Sequence, residues 1–201
     1  MLRFVPRRSL TQAALAAAAL AILVPGQALA SDSADARATA MSDRCAHADA
    51  LGGQATVDDF EASTLCLMNA QRVAYGLRPL RAQSRLALAA ASFANEMVSG
   101  KFFAHQSPKG STPLSRIKAT RYMRKTISWM VGENIAWGTG SLATPRATVQ
   151  AWMHSPPHRR NLLDPMYTEV GIGIANGAPT ALDAGEQGST YVTDFGRRRL
   201  R

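Results

Sequence analysis

The run Val131-Gly132-Glu133-Asn134-Ile135-Ala136-Trp137-Gly138 sets a carboxylate and an amide inside an otherwise apolar stretch. A fold that buries this run must bring a cation or hydrogen-bond donors to Glu133, because an ionised carboxylate without partners is strongly disfavoured in a core. Suitable groups lie in two other segments: His105, after Phe102-Phe103-Ala104, and His158, in Ser155-Pro156-Pro157-His158-Arg159. Two imidazoles and a carboxylate from three separate segments point to a site.

The first thirty residues have the three parts of an export signal: Arg3, Arg7 and Arg8, an apolar run from Ala13 to Val24, and Ala28-Leu29-Ala30 before Ser31. The run is shorter than the ~20 residues a spanning helix needs, so we expect cleavage near Ala30-Ser31, no transmembrane anchor, and a secreted or periplasmic product. Arg7-Arg8 leaves general and twin-arginine export both open. Charge is uneven along the rest of the chain. Residues 31–66 carry a net −5 and residues 67–201 a net +11, a basic body suited to anionic envelope polymers or membrane surfaces. Export and the lack of a recognisable motif speak against nucleic acid.

Residues 31–57 read as an acidic N-terminal arm, disordered over Ser31 to Ala40 because its residues are small and polar. Cys45 and Cys66 are the only cysteines. In an oxidising compartment an even count suggests a bridge, with two free buried thiols as the alternative. Closing that loop would contribute ~3 kcal/mol. A first helix is expected from Asp58 or Asp59, with Asp58 and Glu61 as a capping box, to Gly76, burying Ala62, Leu65, Cys66, Asn69 and Val73. A second follows Ser84 and stops at Gly100, with Leu86, Ala90, Phe93 and Met97 on a face small enough for close packing.

His105 falls on a loop. Thr112-Pro113 and Thr144-Pro145 are N-cap and first-turn pairs that start further helices, and Pro156-Pro157 starts a short one carrying His158. His154 and His158 stand four apart, but Pro156 and Pro157 between them and Ser155 in place of the catalytic Glu argue against a zinc-protease motif. His47 and His154 read as structural or solvated, Trp137 and Trp152 as core. Residues 127–135 and 167–176 read as extended. In the second segment Gly171 and Gly173 alternate with Val170, Ile172 and Ile174, and it is expected to pair antiparallel with a strand over 189–196. The basic run Lys118, Arg121, Arg124, Lys125 reads as a solvated loop, and residues 197–201 as a frayed basic tail.

In this order, Leu67-Met68-Asn69-Ala70-Gln71-Arg72, Phe103-Ala104-His105, Gly132-Glu133-Asn134-Ile135-Ala136, Ala151-Trp152-Met153-His154-Ser155-Pro156-Pro157-His158-Arg159 and Tyr167-Thr168-Glu169-Val170-Gly171-Ile172-Gly173 resemble the bacterial, SCP-like branch of the CAP superfamily. That superfamily is the secreted domain shared by cysteine-rich secretory proteins, antigen 5 and pathogenesis-related proteins. The resemblance implies an α+β fold, a three-layer α-β-α sandwich with a central antiparallel sheet, over residues 58–196. It also implies a central cleft of two histidines and two acids that takes a divalent metal in some members. His105, Glu133 and His158 carry over directly, and Glu169 stands at the strand position where eukaryotic members commonly have Gln.

Two functions compete. One is a secreted binding module whose cleft holds zinc or another divalent metal and which engages an extracellular lipid, a cell-wall polymer or a protein. The other is a metal-dependent hydrolase of envelope polymer or peptide, with Glu133 as general base. Catalytic zinc usually has three protein ligands, and neither Ser107 nor Ser155 lies in a nucleophile elbow. The sequence therefore favours binding over catalysis and assigns no catalytic residue.

Overall fold

In the computed structural model, residues 25–181 and 187–201 are described, without the side chains of 25–31. Residues 1–24 of the expected export signal and part of the loop before the last strand lie outside the described residues. The elements are α1 (Pro25–Ser42), α2 (Val57–Ala74), β1 (Arg81–Ala82), α3 (Ser84–Gly100), α4 (Pro113–Ala119), β2 (Thr126–Thr139), α5 (Pro145–His154), α6 (Pro156–Leu162), β3 (Glu169–Asn176) and β4 (Gly188–Leu200). The four strands form one sheet in the order β1-β3-β4-β2. β4 pairs antiparallel with both β3 and β2. The two-residue β1 adds a parallel edge to the expected antiparallel sheet.

The three-layer expectation holds, because β3 is buried on both faces. On one face Val170, Ile172 and Ile174 pack with Tyr191 and Phe195 against Phe60 and Leu67 of α2 and Trp152 of α5. On the other, α3 lies directly on glycines. A Cβ at Gly171 would come within 2.0 Å of the Leu86 and Ala87 backbone, and one at Gly173 within 2.0 Å of Ala91 N. Leu86, Ala90, Phe93 and Met97 are all buried there, as their spacing predicted.

Four local expectations are corrected. Residues 31–40 are helical rather than disordered, since Ala34, Ala38 and Ser42 form a buried small-residue stripe on α1, which packs on α2. The expected cleavage point Ala30-Ser31 lies within this helix. The cap of α2 is Thr56, whose side chain accepts from Asp59 N while Asp59 accepts from Thr56 N. The buried face of α2 is Phe60, Ser63, Thr64, Leu67, Met68, Ala70, Arg72 and Ala74, rotated from the expected one. It is rotated because α2 packs against β3, α1 and α5 together. Finally, residues 197–200 are not frayed but continue β4, paired with residues 126–130 of a β2 longer than expected. The Cys45–Cys66 disulfide is present.

Candidate functional site

β2 is an edge strand, and the Gly132-Glu133-Asn134 turn of phrase in the sequence has a simple meaning there. Successive residues of a strand point to opposite faces. Glu133 faces the α3 side, in register with Asp194 and Gly171, while Asn134 faces the α5 side. Each residue ties down a different segment.

On the α3 side, the Glu133 side chain is 2% exposed and both its oxygens are engaged. Oε1 lies 2.7 Å from His105 Nδ1 and Oε2 2.6 Å from Arg116 Nη2. Arg116 comes from α4, capped by Thr112 as expected, and its two terminal nitrogens also donate to His105 O at 3.1 Å. Its guanidinium sits 3.2 Å above the Phe93 ring, a cation–π contact that suits a poorly hydrated cation. Arg116 thus fixes the His105 loop and the carboxylate together. His105 itself remains 52% exposed, with Nδ1 facing Glu133 and Nε2 unengaged by any described hydrogen bond.

On the α5 side, Asn134 Nδ2 donates to His158 O at 3.0 Å, and Asn161 Nδ2 donates to Asn134 Oδ1 and to Glu133 O. A Cβ at Gly132 would come within 2.3 Å of Tyr167 Oη and 3.5 Å of Asn161 Oδ1, so glycine makes room for this packing. Trp152 Nε1 donates to Ile135 O. These donors cover the free edge of β2 and lock α6 against it. His158 Nδ1 contacts Ser155 Oγ at 2.8 Å. Burial, and then the nearby His105, push the His158 pKa below its ordinary value, which keeps that imidazole neutral near pH 7.

The expected residues therefore separate. His105 and Glu133 are in direct contact, and His158 is close enough to feel the charge of His105. His154 is exposed, with Nδ1 at Gln150 O. Glu169 lies on the same sheet face but two strands away; it accepts from Tyr122 Oη at 2.6 Å and pairs with Arg198 at 3.4 Å. Ser107 is occupied by Ser111. Trp152 is core, but Trp137, expected inside, is exposed at the edge of the sheet.

Arg116 and Asp194 were not singled out from the sequence. Asp194 is fully buried beside Glu133 on the neighbouring strand, and neither of its oxygens has a well-formed hydrogen bond. Burial first, and then the Glu133 carboxylate, raise its pKa well above the ordinary carboxyl range against the opposing pull of Arg116. The two carboxyl groups are close enough that they resist carrying two negative charges together. The available signal was the register, since the antiparallel pairing of 131–138 with 189–196 sets residue 133 opposite residue 194.

The donor set fits a divalent cation only in part. Two imidazoles have their Nδ1 atoms anchored and their Nε2 atoms uncommitted, the usual way a carboxylate or hydroxyl orients a metal-binding histidine. Glu133 has both oxygens engaged and fits the orienting role rather than direct ligation. Among the described residues, no group of three or more His, Cys, Asp or Glu side chains is placed to share one ion.

A three-layer α+β sandwich, with His105 and Glu133 in contact at its edge strand, is of the CAP type. The chain belongs to the CAP family, described as the cysteine-rich secretory protein family, whose profile matches residues 65–192. The uncharacterized protein YkwD of Bacillus subtilis (strain 168) is 34% identical over 140 residues, covering 70% of this chain and 48% of YkwD. The uncharacterized membrane protein YlbC of the same strain is 30% identical over 114 residues, covering 57% of this chain and 31% of YlbC. The crystal structure of an extracellular protein containing an SCP domain from Bacillus anthracis str. Ames superposes with a TM-score of 0.53 at 25% identity, covering 73% of this chain and 45% of that one. The chain spans less than half the length of each of these proteins. No described helix is long and apolar enough to cross a membrane.

Proposed function

We propose that the protein is an extracellular binding module whose β2-edge cleft takes a divalent cation on the Nε2 atoms of His105 and His158. Glu133 acts as the orienting carboxylate. The supporting observation is the closed chain Arg116–Glu133–His105, in which a buried carboxylate is consumed in aiming a half-exposed imidazole outward. A bound cation would supply a Lewis-acidic contact for an anionic or carbonyl group of an extracellular lipid, cell-wall polymer or protein. Export rests on the N-terminal pattern and on the extracellular label of the Bacillus anthracis relative.

Two imidazoles leave coordination positions to water, so affinity should be modest, and only neutral imidazole donates a lone pair. Zinc titrated by calorimetry should bind at pH 7.5 and fail to bind at pH 5.5, below the ordinary His value of ~6.5. Either His105→Ala or His158→Ala should abolish binding. Equal binding at both pH values, or binding that survives in both variants, would place the cation elsewhere.

A second reading, hydrolysis of envelope polymer or peptide, is favoured by one contact, Ser155 Oγ against a neutral His158. Glu133 is a poor general base in that reading, because neither oxygen is free to meet a water. Turnover lost in Ser155→Ala but kept in Glu133→Gln would support it.

A further inference from the structure

We propose that the cationic corner formed by the start of α3, the turn after α4 and the paired ends of β2 and β4 docks the protein on an anionic phospholipid surface. A hollow of about 640 Å³ opens there, lined by Arg85, Arg124, Lys125, Arg198, Arg201 and Leu200. Its lining contains no Asp or Glu side chain, and among the described residues Arg198 is the only one of these cations paired with an acidic side chain, Glu169.

The cations are arranged rather than scattered. Arg85 Nη1 donates to Arg121 O at 2.6 Å and Arg198 Nη1 to Tyr122 O at 2.9 Å, so one turn fixes guanidinium groups from two different elements. Arg198 is further seated 4.6 Å over the Tyr122 ring. The turn holds two non-glycine residues in the left-handed region, Arg121 at φ 64° and Lys125 at φ 59°. Such conformations disfavour the fold locally and persist where the surroundings enforce them. Here the enforcing contacts include the Arg201 N–H donating to Lys125 O.

Exposed apolar groups share this corner and decide between partners. Trp129 is 47% exposed and lies opposite Arg198 in the β2–β4 register, Leu200 is 56% exposed in the hollow's wall, and Ile127 is 61% exposed in the bulge between them. A soluble polyanion would satisfy the guanidinium groups and leave these three in water. A bilayer interface receives both, with phosphates meeting the cations while an indole and two aliphatic side chains enter the headgroup boundary. None of these residues belongs to the His105–Glu133–His158 cleft, so this docking stands or falls apart from the metal reading.

The test is co-sedimentation of the exported protein with vesicles of phosphatidylglycerol and phosphatidylcholine, and with vesicles of phosphatidylcholine alone. Binding is expected only to the anionic vesicles, and it should weaken in 0.5 M salt. The double variant Arg124→Glu/Lys125→Glu, at exposed positions, should lower partitioning at least about tenfold. Arg37→Glu/Arg44→Glu changes net charge equally on the far N-terminal arm and should shift it less than about twofold. Trp129→Ala should weaken binding severalfold and remove the blue shift of tryptophan emission. Circular dichroism of each variant reports folding. Equal loss in the two double variants, unchanged binding in the first, or capture of soluble polyphosphate without vesicle binding would overturn the proposal.

Discussion

The two faces of the sheet are built on opposite principles. Toward α5, large apolar side chains interlock: Val170, Ile172, Ile174, Tyr191 and Phe195 against Phe60, Leu67 and Trp152. Toward α3, small residues bring the helix backbone onto the strands at Gly171 and Gly173, and the same face buries Glu133, Asp194 and Arg116 a few residues away. One face gains stability from apolar area removed from water. The other holds charges that contribute little or negative stability by themselves. A protein selected for stability alone would fill that space with hydrocarbon. Instead, Arg116 and Glu133 hold the half-exposed His105 imidazole in place.

The contrast can be broken most forcefully at Arg116. Arg116→Leu leaves Glu133 and Asp194 buried without their cation, and we expect a loss of about 3–5 kcal/mol in denaturant unfolding at pH 7. On the opposite face Ile174→Val should cost only about 0.5–1.5 kcal/mol, with no dependence on pH.

A smaller effect of opposite sign is expected at Asp194. Its folded pKa is raised, so the stability contributed by its bound proton is fully present below the unfolded value of ~3.9 and is lost as pH rises through the folded value. Asp194→Asn keeps a neutral, hydrogen-bonding side chain at every pH. The variant should match the parent near pH 4 and become more stable than it as pH rises, with the gap growing by at most about 1.4 kcal/mol per unit. A gap that stays flat from pH 4 to 9 would mean that Asp194 is ionised throughout. The groups facing it, Glu133 and Arg116, are unchanged in this comparison.

The sequence announced these two faces unequally. Alternation in 167–176 and the Thr-Pro caps at 112–113 and 144–145 are local patterns, and the elements they predict are present. The contact of Glu133 with His105 was legible because a charge in an apolar run demands partners. Arg116 stands two residues before a basic run that reads as a solvated loop, and nothing local distinguishes it from exposed Lys118. Its burial arises from α4 folding back over Phe93. Arg72 was hidden in the same way: it is buried and donates to the carbonyls of Arg78, Leu162, Asp164 and Tyr167, which secures the connection after α6. The helical arm at 31–42 was missed because alanine and serine resemble a linker until a neighbouring helix covers them.

The central claim is that Glu133 sets the orientation of His105. If Glu133 Oε1 accepts from Nδ1, neutral His105 carries its proton on Nδ1 and keeps the lone pair on Nε2. Nitrogen-15 NMR of the imidazole side chains at pH 8, assigned with His105→Ala, reads this tautomer directly. We predict a protonated Nδ1 and an unprotonated Nε2 for His105 in the parent, with a mixture of tautomers in Glu133→Ala. A parent His105 protonated on Nε2, or a spectrum unchanged by Glu133→Ala, would contradict the account.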